Sequence, residues 1–154
     1  MGLDSWLHFL HVLGAIVWLG GGLMLVMVGI RVRSSASSEA IAEFARTIPF
    51  VGIRVLGPAW IVVLVTGVWM VFSSSAFKFT QLWVLFGLGA FAVAFLIGAV
   101  YMSRVGIRLD RAARSEDPKD ANLRTLLGRW LVGYSVVLGV LLVAAWDMVF
   151  KPGT

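Results

Sequence analysis

The chain contains no cysteine, which excludes disulfides, thiolate-held metals and iron–sulfur clusters. It leaves the redox compartment open. Histidine is scarce, with 2 in 154 residues. Charged residues make up 14% of the chain, against about 25% in an ordinary soluble domain. Catalytic signatures are also lacking. There is no Walker A loop, no nucleophile elbow with a histidine partner and no HExxH helix. Nucleotide chemistry and soluble-type hydrolysis therefore have no residues to carry them.

What the chain has in excess is apolar side chain. Hydrophobic residues reach 60% and the mean hydropathy is +0.93, where soluble domains run at about 45–50% apolar. The surplus has to face lipid. Apolar runs cover about 6–30, 55–72, 82–102 and 131–150. Each approaches or exceeds the ~20 helical residues that span a bilayer core. Inside lipid the backbone must satisfy its own hydrogen bonds, so helices are expected. The runs are too long for barrel strands and lack strict alternation. The sequence thus predicts an all-α, polytopic membrane four-helix bundle in a single transmembrane domain, 1–154. Met1 to Asp4 runs straight into apolar residues with no basic stretch or small-residue cleavage site, so the first run reads as a retained helix.

A net charge of +5 would suit nucleic acid if the charge were on a soluble surface. It is not. Arg31, Arg33, Arg46 and Arg54 fall in 31–54, and Arg104, Arg108, Arg111, Arg114, Lys119, Arg124 and Arg129 fall in 103–130. The connection between runs two and three carries only Lys78. Positive residues mark the cytoplasmic side, so 31–54 and 103–130 are expected as cytoplasmic loops, with the N-terminus and C-terminus outside. The expected setting is the plasma (inner) membrane of a prokaryote. The expected partners are the lipid bilayer and a homodimer or larger membrane complex, with no nucleic acid.

The first loop has internal pattern. Ser34 to Ser38 is a polar break, and Ile41, Phe44, Ala45 and Ile48 then recur at helical spacing with Pro49 behind them. This suggests an interfacial helix leading into run two. Residues 115–120 read as a turn between charged helical extensions. The segment 68–72 resembles 146–150 (Val-Trp-Met-Val-Phe against Trp-Asp-Met-Val-Phe), as two helical hairpins related by an axis along the membrane normal would show. Gly14, Gly20, Gly21 and Gly22 on run one, and Ala90, Ala94 and Gly98 on run three, permit close helix approach. The run-three series is the better spaced.

Polar groups that could carry chemistry gather near one level. His8 and His11 lie three apart, on one face of helix one. They suit a haem or copper ligand; equally, they suit an interfacial histidine bonded to a neighbour or to water. Met70 and Met148 sit near the outer ends of runs two and four, and histidine with methionine fits copper or a His/Met haem. Methionine in a membrane helix is also an ordinary packing residue. Asp147 either orients the far nitrogen of a ligating histidine or pairs with Lys78. Trp18 lies two turns below His11 on the same face, where it lines a pocket or meets lipid. The tryptophans at 6, 60, 69, 83, 130 and 146 fall near run ends, as interfacial indoles do. Arg54 and Arg129 begin runs two and four, where they reach for headgroups or bind an anion.

The stretch Leu10-His11-Val12-Leu13-Gly14-Ala15-Ile16-Val17-Trp18-Leu19-Gly20-Gly21 resembles the opening helix of the CopD-like membrane proteins. That group includes copper-resistance CopD domains and HemJ-type protoporphyrinogen oxidases. The likeness in layout covers nearly the whole chain, while the specific motif covers helix one. It implies a haem- or copper-related role with His11 at the family histidine. In HemJ-like proteins that histidine goes with haem b and a later lysine, for which Lys78 is the candidate here. CopD proteins proper are longer, so the chain resembles at most their final four-helix part. His8 and His11, on a single helix, cannot grip both faces of one haem. A second axial ligand would be methionine, water or a residue of another subunit.

Three roles follow as expectations. The first is a small cytochrome-like haem b protein using His11, with Asp147 and Met148 or Met70 completing the site. The second is a copper-handling protein using His8, His11 and the methionines. The third is a cofactor-free accessory subunit. The absence of native cysteine makes the expected topology directly measurable. In intact cells Ser5→Cys should react with a membrane-impermeant maleimide, and Ser115→Cys should react only after the cells are opened. The opposite pattern would invert the assignment.

Overall fold

The computed structural model describes residues 2–34, 37–73, 81–115 and 120–151. These form four long helices and no strand: α1 (Leu3–Ser34), α2 (Ser38–Ser73), α3 (Leu82–Ala113) and α4 (Asp120–Phe150). All four are long and apolar enough to cross a membrane. Lys78, part of the Ser34–Ser38 break and the centre of the 115–120 turn lie outside the described residues.

The stretches 31–54 and 103–130, expected as loops carrying an interfacial helix and charged helical extensions, are mostly helix among the described residues. Helix α2 alone has 36 residues, or about 54 Å at 1.5 Å per residue, well beyond a hydrocarbon core of about 30 Å. The helices therefore continue out of the apolar layer at the arginine-rich end. The reason is visible in the residues. Ser37 caps α2 by accepting from Ala40 N–H. Ile41, Ala42, Phe44, Ala45 and Ile48 then form a buried stripe that meets Val105, Leu109 and Ala113 of α3 and Leu123, Leu126 and Leu127 of α4. The largest fully buried side chains of the described residues, Ile41, Leu109, Leu123 and Leu127, all lie in this end and none in the lipid-facing half.

Arginines also close the helix ends. Arg124 donates to Arg33 O at 2.8 Å, and Arg46 reaches Ala113 O at 3.5 Å. Each places a cation on the negative C-terminus of a neighbouring helix. The arginine cluster thus has a packing role beside its value as a topology signal.

Two π-turns interrupt the regular ladder, at Gly52–Leu56 in α2 and Ile97–Met102 in α3. In α2 the following Pro58 has no N–H and its ring would press on the Arg54 carbonyl. The register slips, and Gly57 N–H bonds to Gly52 O instead. In α3 Ser103 N–H bonds to Gly98 O, and the Ser103 hydroxyl takes up the Ala99 carbonyl.

Glycines of α1 and α4 stand closest to neighbouring helices, as at Gly133 of α4, where a side-chain carbon would fall 2.6 Å from the Tyr101 ring. A side-chain carbon at Gly14 would fall 3.1 Å from Ala59 O, and one at Gly22 would fall 2.6 Å from the Tyr134 ring. Gly29 stands equally tight against Leu131 of α4. On α3, by contrast, Gly98 has open space beside it. Ala94 of the same series is buried in the core. The tryptophans divide as well. Trp6, Trp69 and Trp146 are half exposed, whereas Trp83 and Trp130 are buried.

Helix α1 packs on α2 and α4, and α4 packs on α3. Among the described residues, the backbones of α2 and α3 approach each other only at the arginine end. Between Gly57–Ser73 and Leu82–Leu96, no Cα of one comes within 8 Å of the other. A hairpin repeat about the membrane normal would make α2 against α3 equivalent to α1 against α4, and these two pairs are packed differently. The result is a cleft, bridged midway by Trp60 against Phe91 and Phe95, with ring centroids 6.2 and 5.5 Å apart.

Leu127→Ala empties a fully buried site at the arginine end and should cost about 2–5 kcal/mol. Leu142→Ala, on an exposed lipid-facing position, should be near neutral. Denaturant titration in mixed micelles would compare them, and equal losses would contradict this division of the bundle.

Candidate functional site

At the other end of the bundle the cleft widens into an apolar cavity of about 330 Å³ to which all four helices contribute. His8 and His11 come from α1, Met70 from α2, Trp83 and Phe91 from α3, and Met148 from α4. A smaller cavity of about 60 Å³ lies beneath, lined by His11, Trp18, Phe91 and Met148 among others. His11 and Met148 therefore stand on the wall shared by both spaces. Trp18 is buried edge-on against Phe91, with centroids 5.7 Å apart, so it belongs to the pocket floor rather than the lipid face.

Two glycines make room for the ligand-type side chains. A side-chain carbon at Gly67 would lie 3.1 Å from His11 Cε1, and one at Gly87 would lie 3.1 Å from Met148 Cε. His11 thus lies against α2 and Met148 against α3, the two helices that flank the cleft.

Hydrogen bonding fixes which nitrogen of His11 is open. The Thr66 hydroxyl donates to Val62 O at 2.6 Å, the usual back-bond of a helical threonine. Its one hydrogen is then spent, so toward His11 it can only accept. His11 Nδ1, 3.1 Å from Thr66 Oγ1, must carry the proton and donate. On that assignment Nε2 keeps its lone pair. His8 is fixed in the same way, since Nδ1 donates to Asp4 O at 2.9 Å. It is exposed at the cavity rim. Lys151 is also at the rim, with Nζ 5.3 Å from the centroid of the Trp83 ring.

Thr66 was not singled out among the sequence candidates. It is Thr66, and not Asp147, that hydrogen-bonds to His11. The available signal was a lone hydroxyl inside run two, one helical turn before Met70 on the same face. Asp147 continues the buried stripe of α4 and lines neither histidine cavity. One of its carboxyl oxygens has no hydrogen-bond partner among the described residues. Among the same residues, no group of three or more His, Asp or Glu converges as a metal site.

Four membrane-length helices around a cleft with a histidine on its wall define a polytopic integral membrane protein with an apolar cavity between its helices. A family model described as "Predicted integral membrane protein (DUF2269)" matches residues 5–152. The chain belongs to that family. No curated protein and no solved structure matches it.

Thr66→Val keeps the side-chain shape and removes the acceptor. In wild type the ¹⁵N spectrum of labelled histidine should show His11 as a single Nδ1–H tautomer. In Thr66→Val that signal should give way to a tautomer mixture. An unchanged spectrum would show that Thr66 does not set the proton.

Proposed function

We propose that this protein is a small haem b-binding protein of the prokaryotic inner membrane, with the arginine end cytoplasmic and the histidine cavity toward the outside. His11, through Nε2, would hold the iron, and Met148, which shares the cavity wall with His11, would be the second protein residue to hold it, ahead of Met70. The observation that carries the reading is the Thr66–His11 hydrogen bond, because it presents an unprotonated, partly buried imidazole nitrogen to an apolar space.

Other features support it. The donor set of histidine and methionine is one that haem proteins use. Trp18 and Phe91 give the floor an aromatic wall. His8 and Lys151 place the polar groups of the cavity at its rim, where propionates would meet water. Bound there, haem would supply one-electron redox chemistry. The protein's own part is to orient His11, exclude water and fix the ligand type. The resemblance of helix one to CopD- and HemJ-like proteins points the same way.

The test is a reduced-minus-oxidised visible spectrum of protein purified from a haem-replete host. Wild type should show a Soret band, and His11→Ala should lose it. Met70→Ala should keep the band, because Met70 is not the ligand. A featureless spectrum with copper retained after dialysis, and lost in His11→Ala, would replace haem by copper. Retention of neither, with a partner protein co-purifying, would favour an accessory subunit.

A further inference from the structure

A separate cavity of about 600 Å³ lies at the arginine end, between α3 and α4. Arg108, Arg111, Ala112 and Ser115 recur at three- and four-residue spacing, so they share one face of α3. Asn122, Leu126 and Arg129 do the same on α4. This face of α3 is not the one that borders the cleft, which presents Ser103, Gly106 and Ile107. The cavity is therefore independent of the histidine site in both position and composition.

Three guanidiniums converge here, and none has an ion pair among the described residues. Two carboxylates of α2 and α3 among the described residues are engaged elsewhere. Asp110 pairs with Arg114 at 3.0 Å, and Glu43 pairs with Arg46 at 3.0 Å. Arg124 is turned away to the Arg33 carbonyl. Arginine forks fit phosphate oxygens in a bidentate way, and Asn122 and Ser115 add neutral donors. Leu126 gives the cavity a buried apolar floor.

What lies next to the cavity narrows the ligand. Toward the centre of the membrane, Tyr101 packs over Gly133, and Val132 and Val136 follow as exposed apolar positions on α4. A phosphate held by the arginines would have a lipid-facing wall directly above it. Basic pockets between membrane helices at the headgroup level are recognised sites for anionic lipid.

We propose that this cavity binds the phosphodiester of an anionic phospholipid through Arg108, Arg111 and Arg129, with the acyl chains along the Val132–Val136 face of α4. The site ties a lipid molecule to the junction of α3 and α4, where the bundle leaves the bilayer.

The experiment compares purified protein in detergent micelles doped with phosphatidylglycerol or with phosphatidylcholine. Lipid retention is read by native mass spectrometry and stability by thermal melting. Wild type should retain phosphatidylglycerol selectively and melt higher in its presence. Arg108→Gln with Arg111→Gln should lose both effects, at about 5-fold in affinity per arginine. Arg129→Gln, on the other helix, tests the same site should the double variant fail to fold. Arg54→Gln removes one charge from the same end of the molecule, beside Phe50 and away from the cavity, and should behave as wild type. Undiminished retention in the cavity variants would overturn the proposal, and so would an equal loss in Arg54→Gln. An equal effect of inorganic phosphate at matched concentration would overturn it in favour of a soluble anion.

Discussion

Each helix of this protein passes through two solvents, and the packing follows the change. In lipid an apolar side chain gains nothing by leaving the surface, so burial is not driven by hydrophobicity. In water it is driven strongly. Leu23, Ile61, Leu96 and Leu142 accordingly face outward in the apolar half. The fully buried Ile41, Leu109, Leu123 and Leu127 gather where arginines mark the exit from the bilayer. The arginine end is a small water-type core that clamps all four helices together. The apolar half, freed from that demand, holds together through glycine contacts on α1 and aromatic contacts across the cleft.

The cleft is a consequence of that division. Helices α2 and α3 are joined at the arginine end and splay from it, with π-turns near the point where they part. A fully packed bundle would leave no room for His11 and Met148 beside a cavity. Here Gly67 and Gly87 line that space with no side chain of their own. His11, hydrogen-bonded to Thr66, stands on the wall of that apolar cavity.

The number, type and approximate place of the membrane helices were legible in the sequence, because long apolar runs leave lipid as the only solvent. The helical extensions were legible in kind but not in length: Ile41, Phe44, Ala45 and Ile48 carry helical spacing and 115–120 reads as a turn between charged helices, while the arginines around them give the same stretches a loop-like composition. His8, His11, Met70 and Met148 were legible as candidates because polar or ligating residues are rare in such runs, and the fold brings all four to one cavity. Thr66 was missed because a hydroxyl in a membrane helix usually satisfies itself on its own backbone. Thr66 does so, and its remaining lone pair is what His11 uses. Asp147 drew attention by charge alone, and the cavity does not include it. The lipid-type arginine pocket depends on pairing across α3 and α4, which no single run reveals.

The central claim is that His11 and Met148 together hold a haem. Near-infrared magnetic circular dichroism of the purified, oxidised protein reads axial ligands directly. The account predicts the charge-transfer band of a low-spin histidine–methionine haem, displaced in Met148→Ala while haem is retained. A protein without haem, or a bis-histidine band indifferent to Met148→Ala, would contradict it.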